Sequence, residues 1–242
     1  MSTYTDPIIA NKYEDYTESQ NGKIEREYLF AMISKQLPTE KDIKVLDLGC
    51  GDGWLTQELS ERFENITGCD VSESLIAAAK RRYNNNFVIA DFSAPTKFSD
   101  NQFDLIVINM AAHCIQNQEF AFKEIHRILK SDGSVIVTIP NPYYAYPVGV
   151  WKRGLIGFLL KHKPKLKLQP FYQYEIGSEF LWNNEFTSYF YPLSTQINNA
   201  LTSGLELSYM EDAHSEDDSN NFDTNYQLHR FPISLILKYR KI

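Results

Sequence analysis

From residue 43 to residue 140 short runs of β-branched and aliphatic residues alternate with stretches of helical period. The runs IKVLDL (43–48), ITGCD (66–70), FVIAD (87–91), FDLIVIN (103–109) and SVIVTIP (134–140) predict strands. Between them 54–63, 73–83 and 119–130 predict helices. In the last of these Phe122, Ile125 and Leu129 repeat at helical spacing, and Asp132-Gly133 closes the element. Strands alternating with helical stretches imply βαβ units, hence a doubly wound α/β fold on a parallel sheet.

The flanks read differently. Lys23 to Leu37 carries Ile24, Leu29, Ile33 and Leu37 near one face and ends before Pro38, as an amphipathic cap helix does. Residues 197–210 read as helix, Gly204 stop and strand, and 231–241 as a final strand. The acidic polar stretch between them needs no crossover helix, so these two strands are expected to form a hairpin. Residues 141–192 follow neither period and hold 14 of the chain's 33 aromatic residues in 52 positions. Ligands of open α/β sheets bind beyond the carboxyl ends of the strands, so this insertion is expected to act as a substrate lid. A small hydrophobic subcore is the competing reading. Tyr143, Tyr144, Tyr172, Tyr174 and Trp182 are the lid's candidates for stacking on an apolar or aromatic acceptor, or on a cation.

Composition narrows the class. At 242 residues, with 43% hydrophobic and 23% charged positions, the chain fits one globular domain, 1–242, with N-terminal cap helices in 1–40 and the lid in 141–192. No apolar run reaches the roughly 18 residues of a transmembrane helix. The acidic, tyrosine-rich N-terminus lacks a signal peptide's pattern, so a soluble, cytoplasmic protein is expected. Cys50, Cys69 and Cys114 form no CxxC pair, which argues for free thiols and against a metal site. A net charge of −7 disfavours nucleic acid as a partner. Locally, 151–168 combines apolar residues with Lys152, Arg153, Lys161, Lys163, Lys165 and Lys167, a pattern that suits a solvated basic loop, an anionic substrate or peripheral membrane contact.

The chemistry is concentrated in VLDLGCGDGWLT at 45–56, where a strand turns into a helix. Gly49, Gly51 and Gly53 allow a tight bend and close approach of a ligand to the backbone. Asp70, ending the second strand, has the right type and place to accept hydrogen bonds from ribose hydroxyls. A dinucleotide site would show GxGxxG. Here the spacing is GxGxG behind the acidic Asp47, which repels a pyrophosphate and favours a ligand bearing an ammonium.

These residues resemble the class I S-adenosylmethionine-dependent methyltransferases, in particular those acting on small molecules, over roughly residues 20–140. The resemblance implies a Rossmann-like seven-stranded sheet whose last strand runs antiparallel. It also implies that Asp47, Gly49, Cys50, Gly51 and Gly53 line the methionine end of the cofactor, that Asp70 holds the ribose and that Val71 touches the adenine. Asp91 would meet the adenine amino group while Phe92 packs along the ring, with a turn-capping role as the alternative for Asp91. Asn109 and Met110 would support the sulfonium region. Tyr13, Tyr16 and Arg26 match the tyrosine and basic residue that close over the methionine carboxylate in similar sequences.

Methyl transfer from a sulfonium is an in-line displacement, so alignment and exclusion of water come first. Where the acceptor is a hydroxyl or a protonated amine, a base helps, and His113, four residues past Asn109, is the candidate. Strand four ends in INMA, without the (D/N)PPY of amino-group methylation of adenine or glutamine, and without a Pro-Cys nucleophile. The expectation is transfer of a methyl group to a small-molecule O or N acceptor. Methylation of RNA or protein, and a cofactor-binding subunit without turnover, are the alternatives.

Overall fold

The computed structural model describes residues 6–141, 149–152, 165–168, 178–181, 186–189, 191–213 and 234–242. Two helices, α1 (Pro7–Glu18) and α2 (Gln20–Ser34), precede β1 (Lys44–Leu48), α3 (Trp54–Ser60), β2 (Asn65–Asp70), α4 (Glu73–Arg82) and β3 (Asn86–Ile89). Then follow β4 (Phe103–Asn109), a 3₁₀ turn at Ala112–Cys114, α5 (Gln118–Ile128) and β5 (Leu129–Pro140). Two short antiparallel hairpins, β6 (Gly149–Lys152) with β7 (Lys165–Leu168) and β8 (Ser178–Leu181) with β9 (Phe186–Tyr189), lie in the insertion. The chain closes with α6 (Leu193–Thr202), β10 (Leu205–Ala213) and β11 (Ser234–Lys241).

Seven strands form one sheet in the order β10-β11-β5-β4-β1-β2-β3. The pairs β5/β4, β4/β1, β1/β2 and β2/β3 are parallel, and β11 runs antiparallel to both β5 and β10. The central strands are mostly apolar because helices cover both faces. Side chains divide between two cores with the strand period of two. Leu46, Leu48, Ile106, Ile108, Val135, Val137, Leu235 and Leu237 join one core with Phe122, Ile125 and Ile128 of α5. Val45, Leu105, Val107, Ile136 and Ile236 join the other with Met32 and Ile33 of α2 and Leu55 and Leu59 of α3. The doubly wound sheet and its antiparallel last strand are as the sequence predicts.

Boundaries shift for local reasons. Helix α5 stops at Ile128 because Leu129 is already extended (φ −77, ψ 134) and begins β5, five residues ahead of the predicted strand. Strand β3 ends at Ile89 rather than Asp91, whose carboxylate accepts from the Ser93 N–H at 2.8 Å and turns the chain. The cap is a helix pair. Asp6 caps α1 by accepting from the Ile8 N–H, with Pro7 at the first position, and Ser19 caps α2, which starts at Gln20, three residues upstream of the predicted Lys23.

Candidate active site

The turn leaving β1 is held in shape by its neighbours. Gly49 and Cys50 both donate backbone N–H groups to the Cys69 carbonyl at 2.8 and 3.0 Å, which ties the turn to the end of β2. Gly49, Gly51 and Gly53 all have positive φ (77°, 54° and 86°). A β-carbon at Gly49 would lie 2.4 Å from the Ala111 methyl, and one at Gly51 would lie 3.2 Å from the Tyr13 ring. Asp70 braces the same turn. One carboxylate oxygen accepts from the Gly51 N–H at 3.0 Å and the other from the Ser72 N–H at 2.8 Å. Burial raises its pKa, and these backbone donors draw it back towards the ionised form.

Beside this turn opens a cavity of about 330 Å³ across the carboxyl ends of the parallel strands. Gly49, Gly51, Asp70 and Val71 form one end of it. Asp91 and Phe92, following β3, and Asn109 and Met110, ending β4, form other parts of the wall. These eight were expected there. Asp91 lines the cavity and also accepts from the Ser93 hydroxyl at 2.6 Å, the turn-capping contact foreseen as its alternative. Asn109 is fixed by the Thr138 hydroxyl, which donates to its Oδ1 at 2.6 Å, while Met110 sits in the left-handed region (φ 50) with its N–H on Thr138. A non-glycine residue held there is the kind of local strain found at ligand sites.

Other candidates face elsewhere. Asp47 is buried away from the cavity and accepts from the Thr56 hydroxyl at 2.6 Å; burial, against that hydrogen bond and helped by Asp70 and Asp52, raises its pKa to about 7. Cys50 is buried behind the turn, which pushes its thiol pKa up, and Gly53 serves as the N-cap of α3. Tyr16 donates to Glu25 at 2.5 Å; of the two tyrosines considered, Tyr13 is the one at the cavity. Arg26 places one guanidinium nitrogen 2.9 Å from both oxygens of Asp52 and lies over the Trp54 ring at 5.3 Å. His113, in the 3₁₀ turn, is 7% exposed and its Nδ1 has no hydrogen-bond partner among the described residues. Burial lowers its pKa to about 4. Its neighbours Ala111, Cys114 and Ile115 line the cavity, but His113 itself does not. Tyr143, Tyr144, Tyr172, Tyr174 and Trp182, like most of the basic 151–168 segment, lie outside the described residues.

Sequence reasoning passed over Cys114, Ile115 and Gln116 in the cavity wall, because nothing in their type marks them. Their one signal is position, just past the carboxyl end of β4. The end of the insertion is seated on this loop: β9 runs beside the Ala112–Cys114 turn, and the Tyr191 hydroxyl donates to the Gln116 carbonyl. Among the described residues no group of three metal-ligating side chains gathers, and no helix is long and apolar enough to cross a membrane.

A family model described as a methyltransferase domain matches residues 46–137, the segment from β1 to β5 that supplies most of this cavity. Residues 46–137 thus carry the match to a methyltransferase domain that the resemblance to class I S-adenosylmethionine-dependent enzymes implies. An uncharacterized methyltransferase of Schizosaccharomyces pombe is 31% identical over 110 residues, 43% of this chain and 42% of that protein. A malonyl-acyl-carrier-protein O-methyltransferase of Enterobacter lignolyticus is 28% identical over 120 residues, 49% of this chain and 47% of its own. The chain thus spans about half the length of the curated relatives it matches. The fold is similar to that of an S-adenosylmethionine-dependent methyltransferase from Mesorhizobium loti, with a TM-score of 0.70 at 18% identity over 88% of this chain and 98% of that one.

Proposed function

We propose that this chain transfers a methyl group from S-adenosylmethionine to a small-molecule O or N acceptor. The observation that carries the reading is the glycine turn wired to Asp70 at the head of the cavity. At Gly49 a side chain would collide with the Ala111 methyl in the cavity wall and at Gly51 it would crowd the Tyr13 ring, so bare backbone is left to meet a ligand. Asp70, with one oxygen on the Gly51 N–H, is poised for ribose hydroxyls, and Val71, Asp91 and Phe92 form an edge-and-face pocket for adenine. Tyr13 closes the methionine end. When bound, S-adenosylmethionine supplies an electrophilic methyl group on a positively charged sulfur. The chain's part is to fix the acceptor in line with it and to shut out water.

In this reading the acceptor enters from the side of Met110, Ile115 and Gln116, with the 141–192 insertion as its lid and the five lid aromatics as contacts. A proton acceptor must lie within hydrogen-bond reach of the proton it takes, and His113, buried outside the cavity wall, does not meet that requirement, so no proton transfer is assigned to it. The O-methyltransferase activity in the name of the Enterobacter lignolyticus relative supports an oxygen acceptor. The deciding experiment is calorimetric titration of the purified chain with S-adenosylhomocysteine, with NAD as control ligand. Micromolar binding, weakened about tenfold or more by Asp70→Ala and absent for NAD, is the expected result. No binding, or a preference for NAD, would overturn the reading.

A further inference from the structure

Asp52, the one acidic residue inside the glycine turn, is 1% exposed and is the meeting point of three helices. From α2, Arg26 reaches both of its oxygens at 2.9 Å. From α4, Arg82 reaches Oδ2 at 2.6 Å. From α1, the buried Thr17 hydroxyl lies 3.4 Å from Oδ2, while Glu14 and Glu18 hold the outer side of Arg82 at 3.3 and 3.4 Å. The joint between α1 and α2 is tight as well: a β-carbon at Gly22 would fall 2.2 Å from the Tyr16 carbonyl oxygen. One buried carboxylate therefore ties α1 and the first turns of α2 to the glycine turn, while the far end of α2 is held in the core by Met32 and Ile33.

That carboxylate lies between Gly51, whose backbone lines the cavity and is covered by Tyr13 of α1, and Gly53, which starts α3. Anything that loosens Asp52 therefore loosens both the turn and the ring that covers it. Arg26 is correspondingly unsuited to the carboxylate-binding part assigned to it by sequence, because its guanidinium is engaged by Asp52 and lies over Trp54. We propose that Asp52 is a positioning residue: it latches the α1–α2 pair over the cofactor and thereby sets how long the cofactor stays. A ligand under a latched cover enters and leaves only while the cover is open, so the latch slows both association and dissociation. The cofactor half of this inference rests on the function proposed above.

The test is hydrogen exchange on the full chain without ligand, paired with stopped-flow dissociation of S-adenosylhomocysteine followed by Trp54 fluorescence in a W151F/W182F background. Asp52→Asn and Arg26→Met are compared with the parent. In both variants amides of residues 7–18 are expected to exchange faster, by about tenfold in Asp52→Asn, while those of 103–109 and 135–139 keep their protection. Ligand dissociation is expected to quicken by about tenfold in Asp52→Asn and less in Arg26→Met, with association quickened in the same order. Should Asp52→Asn not fold, Arg26→Met decides. Parental exchange and dissociation in a folded variant would overturn the latch, and so would acceleration spread evenly over β4 and β5. Failure of the parent to bind S-adenosylhomocysteine would overturn the functional reading and the residence-time half, while exchange at 7–18 still decides whether Asp52 anchors the helices.

Discussion

Two buried titratable side chains oppose each other across the acid range. Asp47, raised from 3.8 to about 7, binds a proton in the folded chain at pH values where the unfolded chain has already lost it. Its effect on stability is therefore favourable at low pH and is lost as pH rises from about 4 to about 7. His113, lowered from 6.5 to about 4, stays neutral when folded while the unfolded chain takes up a proton below 6.5. Its contribution is present above 6.5 and lost as pH falls towards 4. At about 1.4 kcal/mol per pH unit each effect is of order 3 kcal/mol, with opposite sign. Urea unfolding of the parent should then show little net slope from this pair between pH 4.5 and 6.5. Asp47→Asn, which keeps an acceptor for the Thr56 hydroxyl, is expected to steepen the loss of stability on acidification and to be more stable than the parent at pH 8. His113→Leu is expected to do the reverse, gaining stability as the pH falls. Parallel curves for parent and both variants would show that neither group is buried in the way described.

Within the turn between β1 and α3 the glycines separate fold from site. Gly53 has φ 86, and a β-carbon there would lie 2.7 Å from the Phe87 ring and 2.9 Å from the Ala79 methyl, both in the core. Gly53→Ala should cost about 3 kcal/mol, part left-handed strain and part overpacking. Gly51 has φ 54 but faces only the tip of Tyr13 at 3.2 Å. Gly51→Ala should cost about 1 kcal/mol of stability yet weaken S-adenosylhomocysteine about tenfold, as thermal melts and titration of the two variants can check. The same element shows what a sequence can disclose. The glycine spacing and Asp70 were legible because backbone curvature and strand ends are local properties. Which partner Asp47 or Arg26 would choose was not, because Thr56 and Asp52 win only through the packing of α3 and α2 against the turn. Helix α1 escaped the hydrophobic pattern for a related reason. Of its residues with described side chains only Ala10 and Thr17 are buried, so ion pairs rather than an apolar stripe hold it, although Asp6-Pro7 did mark its start.

The two ends of the chain should accordingly tolerate loss very differently. Strand β11 lies between β5 and β10 and buries Leu235, Ile236, Leu237 and Tyr239 in two cores. At about 2 kcal/mol per side chain these four alone approach the whole stability of an ordinary domain, before the broken ladders on both sides are counted. Removing residues 234–242 is expected to abolish cooperative unfolding. Removing 1–18 withdraws Tyr13 and the Glu14 side of the latch but leaves Met32, Ile33 and Leu37 in their core, together with the Arg26–Asp52–Arg82 contact. That shortened chain should still melt in one transition, at a somewhat lower temperature, while its affinity for S-adenosylhomocysteine falls about tenfold or more. If it instead lost its cooperative melt, α1 would belong to the domain's core and not to its cover. Helices that fold with the core cannot open independently of it, so the residence time of a ligand beneath them would follow global unfolding rather than the strength of one carboxylate's contacts.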